Sequence, residues 1–168
     1  MTIEKKWYAV ITRPRWEKKL ALKLTELGIT NYCPLNRVLR QWSDRKKVVL
    51  EPLFKGYLFV QLPEASKWDI KNVAGVLNFV YWLGRPAVIK NEEIDTIRRF
   101  LQEFENVEVS DKVELNDKVL VKQGIMMNYS GFVIEVLGNR ARVMINSMGV
   151  ALSALFDKKN LEKVSAIS

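Results

Sequence analysis

KWYAVITRPRWEKKLALKLTELG, Lys6 to Gly28, changes its period halfway along, and that change decides the start of the fold. Lys6 to Thr12 crowds aromatic and β-branched side chains together and reads as a buried strand. From Trp16 on, Trp16, Leu20, Leu24 and Leu27 recur at helical spacing with Lys18, Lys19, Lys23 and Glu26 elsewhere, and Gly28 supplies a stop. A strand followed by an amphipathic helix opens an α/β unit.

Outward from this stretch the strand signals continue. Val38 to Trp42 and Lys46 to Leu50 are β-prone runs split by the turn-forming SDR, which predicts a hairpin with a charged tip. GYLFVQL, Gly56 to Leu62, puts Tyr57, Phe59 and Gln61 on one side and Leu58, Val60 and Leu62 on the other. A short helix is expected over Ser66 to Val73, then a strand in VLNFVYWL. Asn91 can cap a further helix whose apolar face is Ile94, Ile97, Leu101 and Phe104. EFENVEVSDK is polar and without helical period, the expected linker. Beyond it, short β-prone runs punctuated by Gly124, Gly131, Gly138 and Gly149 predict a small curled β-barrel.

Composition narrows the function. The 168 residues, 48% of them apolar, suffice for one ordinary domain or two small ones. Net charge is +8, and residues 1–60 hold thirteen Lys/Arg against five Asp/Glu, so the excess sits in the first third. Such a field attracts a polyanion through counterion release, or it is a solvated basic face kept for solubility. Cys33 is the single cysteine, so no intrachain disulfide forms, in keeping with a cytoplasmic protein, and its expected role is packing. Without histidine there is no Cys–His or Ser–His pair and no usual zinc set; no phosphate-cradling glycine motif is present, and no apolar run suggests export or a membrane. An enzyme is disfavoured and no cofactor is expected.

Four linked segments resemble the NusG family of transcription elongation factors: WYAVITRPRWEKKLALKL its opening strand and helix, EPLFKGYLFVQL its third strand, VAGVLNFVYWLGRPAVI its Gly-Val to Gly-x-Pro segment, and residues 119–164 its KOW module. The resemblance implies an α+β fold, with an N-terminal α/β sandwich on a mainly antiparallel sheet over residues 1–104, a linker at 105–112 and an SH3-like KOW barrel at 113–164. It implies a monomer that binds the RNA polymerase clamp helices, suppresses pausing and termination, touches non-template or upstream DNA, and recruits a partner such as a ribosomal protein through the barrel. Tyr57, Phe54 and Phe59, with Tyr8 or Ile11 nearby, become the polymerase contacts, since outward-facing rings more often mark an interface than an accident. An aromatic in a strand is by itself usually core, and for Phe59 both readings stay open. Arg13, Arg15, Lys19 and Lys23 become nucleic-acid contacts, sequence-blind and salt-sensitive. The hairpin group Arg37, Arg40, Arg45, Lys46 and Lys47 offers a second basic contact, or is simply solvated.

Departures from the family pattern shape the expectation further. Ala74 stands where the specialised relative has a DNA-binding arginine, and Ser66, Lys67 and Trp68 replace its His-Thr-Thr run. At the KOW tip Ser147, Met148, Gly149 and Val150 stand where the general factor has Ile-Phe-Gly-Arg; only the glycine is kept, and losing the ring and the guanidinium removes an apolar anchor and a bidentate donor. Weak or absent Rho binding follows, and an operon-specific RfaH-like antiterminator is preferred to the housekeeping factor. A KOW-containing RNA-binding protein of the translation machinery is the rival, disfavoured by the preceding α/β unit. The run of Val119, Val121, Val133, Ile134, Val136, Val143 and Ile145 favours strands over a stored helical form.

Overall fold

The computed structural model describes residues 4–110, 117–127, 129–147 and 150–164. In chain order the elements are β1 (Lys5–Thr12), α1 (Glu17–Glu26), β2 (Asn31–Tyr32), β3 (Leu35–Gln41), β4 (Lys46–Pro52), β5 (Tyr57–Pro63), a 3-10 helix (Glu64–Asn72), β6 (Val76–Phe79), β7 (Tyr81–Trp82), β8 (Arg85–Pro86), β9 (Val88–Ile89) and α2 (Asn91–Glu103). They are followed by β10 (Glu108–Ser110), β11 (Lys118–Val121), β12 (Ser130–Leu137), β13 (Arg140–Ser147), β14 (Val150–Asp157) and β15 (Leu161–Lys163). The chain divides into two compact units, Met1–Leu35 with Pro52–Ile94 and Asn36–Glu51 with Asp95–Ser168.

In the first unit a five-stranded antiparallel sheet runs β2-β5-β1-β6, with β9 also paired to β1. Register assigns its faces, because residues directly opposite across a ladder point the same way. Tyr8 lies opposite Val60 and Val10 opposite Leu58; these four join Leu20 and Leu24 of α1 in the core. Ala9 opposite Phe59 and Ile11 opposite Tyr57 form the other face. Leu27, expected on the buried stripe of α1, is exposed. The helix stops instead in a Schellman turn: Gly28 sits at φ +76°, its N–H donates to Thr25 O, and the Ile29 N–H donates to Leu24 O. That reversal carries Ile29, not Leu27, back against the core.

The second unit holds the β3–β4 hairpin, most of α2 and a six-stranded antiparallel sheet ordered β10-β14-β13-β12-β11-β15. The valine-rich run forms strands as expected. Among the described residues no pairing joins β10 to β15, so the pairing gives an open antiparallel sheet where a closed barrel was expected. Gly131 is required in β12: a Cβ there would lie 2.5 Å from the Met144 carbonyl oxygen, a backbone atom that cannot swing aside. The polar run expected as linker contributes structure of its own. Val107 is buried, its backbone exchanges hydrogen bonds with the buried Asn36 side chain (2.9 and 3.0 Å), and β10 pairs with β14. α2 begins at Asn91 itself, and its buried face includes Phe100, which the expected stripe omitted; Phe104 packs on Phe156 at 4.2 Å between ring centroids.

Candidate functional site

On the sheet face turned away from α1, the start of β5 carries an aromatic patch. Tyr57 is 43% exposed and faces the half-buried Ile11 across the ladder. Two residues on, Phe59 points the same way yet is only 2% exposed. The difference comes from neighbours remote in sequence. β2 reaches only as far as Phe59 and lays Tyr32 against its ring (6.3 Å between centroids, 25° between planes), while half-buried Phe54 folds back edge-on at 5.8 Å. β2 ends opposite Phe59, so among the described residues no β2 residue lies across from Tyr57, and its ring meets solvent.

The turn that presents Tyr57 is fixed by polar contacts. Gly56 adopts φ +83°, its N–H donates to a Glu17 carboxylate oxygen at 3.1 Å, and its carbonyl accepts the Thr12 N–H at 2.9 Å. Glu17 lies in the first turn of α1 and is buried, where a carboxylate suits the positive end of the helix dipole. Sequence reasoning missed it, although an acid at the head of a lysine-rich helix was a visible signal.

Two expected contact residues are corrected by burial. Tyr8 is 1% exposed because its register with Val60 turns it toward α1, where it meets Phe79 edge-on at 5.7 Å; burial also pushes its phenol pKa up. Phe59 is likewise interior in this structure and supports the patch from beneath. Phe54, Tyr57 and Ile11 remain as the accessible set.

Near it stand the cations ahead of and along α1. Arg13, Arg15 and Lys19 are exposed, while Lys23 is half-buried. The Arg13 guanidinium lies 5.3 Å and the Lys19 ammonium 4.1 Å from the centre of the Trp16 ring, which holds both charges over one indole. Trp16 itself rests on Gly75, at φ +102°, where a Cβ would come within 2.6 Å of Cε3; the Gly75 carbonyl accepts the Arg13 N–H at 3.0 Å.

The hairpin cations divide. Arg37 donates through Nη2 to the carbonyls of Leu101 (3.2 Å), Gln102 (3.3 Å) and Phe104 (3.4 Å), closing the C-terminal end of α2. Arg40 forks onto Glu51 at 2.7 and 2.6 Å. Arg45, Lys46 and Lys47 stay exposed at the tip, with Lys47 5.3 Å from the Trp42 ring centre. In the second sheet Ser147 ends β13 opposite Val150, and Met148 and Gly149 lie outside the described residues. Cys33 is half-buried, and burial pushes its thiol up to about 11, which leaves it protonated and inert at neutral pH. Among the described residues no group of three or more His, Cys, Asp or Glu gathers as a metal site, and no helix is long and apolar enough to cross a membrane.

Comparison with known proteins gives consistent matches. A family model described as transcription termination factor nusG matches residues 5–98. The transcription termination/antitermination protein NusG of Halalkalibacterium halodurans is 25% identical over 96% of this chain and 100% of its own length. NusG of Chlamydia pneumoniae is 27% identical over 86% of each chain. A solved structure concerned with domain interaction in Thermotoga maritima NusG matches with a TM-score of 0.64 and 25% identity, over 96% of this chain and 98% of that one.

Proposed function

Because this chain belongs to the NusG family of transcription termination and antitermination factors, we propose that Tyr57, Phe54 and Ile11 dock its first sheet on the clamp helices of RNA polymerase. The family is one of transcription factors and not of enzymes. The observation that carries the reading is the unequal fate of the β5 rings: Phe59 is spent on the fold, while Tyr57 is held out by an ordered turn. An exposed tyrosine ringed by half-buried apolar groups is the composition of an interface centre.

Bound there, the factor suppresses pausing and termination. Arg13, Arg15, Lys19 and Lys23 take non-template or upstream DNA through phosphates, with Arg45, Lys46 and Lys47 as a second contact. Residues 1–104 are the polymerase-binding domain, 105–112 the connection, and 113–164 the KOW domain. Ser147, Met148 and Gly149 recruit a further protein, a ribosomal protein being the partner of choice. These positions lack the ring and guanidinium of the general factor, which favours an operon-specific antiterminator over a housekeeping one.

Photocrosslinking tests the docking face. Benzoyl-phenylalanine at position 57, in a reconstituted elongation complex, is expected to label the polymerase subunit that carries the clamp helices. Labelling of nucleic acid alone, or of no polymerase subunit, would overturn the assignment.

A further inference from the structure

The 3-10 helix Glu64–Asn72 carries a feature that the docking face does not use. Trp68 is 46% exposed, and its indole is braced against Phe79, with ring centroids 5.5 Å apart and planes at 88°. The ammonium groups of Lys67 and Lys71 stand 5.3 and 5.6 Å from the ring centre. Two and three residues beyond Phe79, the β7–β8 ribbon offers Tyr81, 43% exposed, and Trp82, 70% exposed, with Arg85 opposite Trp82 in the ladder.

The charge around this ring is one-sided once internal pairs are removed. Glu64 is matched by Lys6 at 3.1 Å, which lowers the Glu64 pKa and raises that of Lys6. The Lys67 ammonium also touches the Glu64 carbonyl at 3.3 Å, and Arg85 lies close enough to Glu64 to act on it. Asp69, exposed on the same turn, is the opposing charge against Lys67, Lys71 and Arg85.

We propose that Trp68 is a stacking platform for an unpaired base of single-stranded nucleic acid, whose flanking phosphates are taken by Lys67, Lys71 and Arg85. An acidic peptide would use the same cations but gains little from an open indole face, whereas a base uses both. A lysine over an exposed ring is held more weakly than a stacked base, so an arriving base displaces the ammonium groups and frees them for the backbone. Phe79 keeps the indole in place throughout, so the platform is built before its ligand arrives. Tyr81 and Trp82 extend it toward neighbouring bases. Duplex DNA, with its bases stacked inside, cannot use such a ring. The site stands apart from polymerase docking, because it acts on nucleic acid in the free protein.

Fluorescence anisotropy of the full chain with labelled 20-nucleotide DNA and RNA single strands, and with the matching DNA duplex, tests this. Trp68→Leu keeps an apolar contact for Phe79 and removes the π-face; Trp68→Phe keeps both. Trp68→Leu is expected to weaken single-strand binding roughly 5- to 100-fold with duplex binding unchanged, and Trp68→Phe to retain most of the affinity. Lys67→Gln with Lys71→Gln is expected to lower the salt slope on single strands by about 1.4. A preference for DNA or for RNA in the single-strand arms identifies the source of the strand, and either supports the platform. Unchanged single-strand affinity in a folded Trp68→Leu variant would overturn it, as would equal loss on single strand and duplex. Loss of polymerase binding with oligonucleotide affinity intact would assign the ring to a protein partner and overturn it too.

Discussion

The segment around α1 and the β3–β4 hairpin are both rich in arginine and lysine, yet their cations are employed differently. Before and along α1, Arg13 and Lys19 are poised over the Trp16 ring and keep their charge toward solvent. On the hairpin, Arg37 is consumed by three carbonyls at the end of α2 and Arg40 by Glu51, which leaves only the tip for an outside anion. Whether a cation is available to a partner is therefore set by the carbonyls and carboxylates that the fold brings within reach, and not by local charge density.

Substitutions can break this contrast from either side. The largest effect is expected at Gly75, where alanine adds a clash with Trp16 to a backbone at φ +102°; a loss of about 3 kcal/mol in urea unfolding is expected, with Arg13 and Lys19 losing their shared perch. Next is Arg37→Ala, which strands helix-end carbonyls and should cost about 2 kcal/mol, with Arg37→Lys restoring only part because the lysine chain ends one bond short of the Nη2 atom that makes all three contacts. Smallest in stability is the combined change of Arg45, Lys46 and Lys47 to glutamine. It should leave the melting temperature unchanged and lower the salt slope of nucleic-acid binding by about 2 to 3, measured by titration at several ionic strengths. A triple variant that unfolds, or an Arg37→Ala protein as stable as the parent, would erase the distinction.

Much of the fold was legible because it is written in local periods. The switch from strand to helix near Trp16 and the alternation along β5 each depend on residues close in sequence, and each appears in the structure. What stayed hidden depends on long-range register. Tyr8 enters the contact set through the resemblance alone, and its place on the α1 side is fixed by register with Val60, 52 positions away, while Phe59 is buried by Tyr32, 27 positions away. The β10 strand was readable in retrospect: Val107 and Val109 alternate with Glu108, a period-two signal masked by the polar residues before it. The internal use of Arg37 left no signal at all, since its acceptors are backbone carbonyls.

The most direct test of the docking face is the affinity of a Tyr57→Ala, Phe54→Ala variant for a reconstituted elongation complex, with circular dichroism to verify folding. Both rings have accessible surface and Phe59 keeps the core beneath them, so the variant is expected to fold and to bind about 30-fold or more weakly than the parent. A folded variant that binds as tightly as the parent would contradict the proposal that this face grips the polymerase.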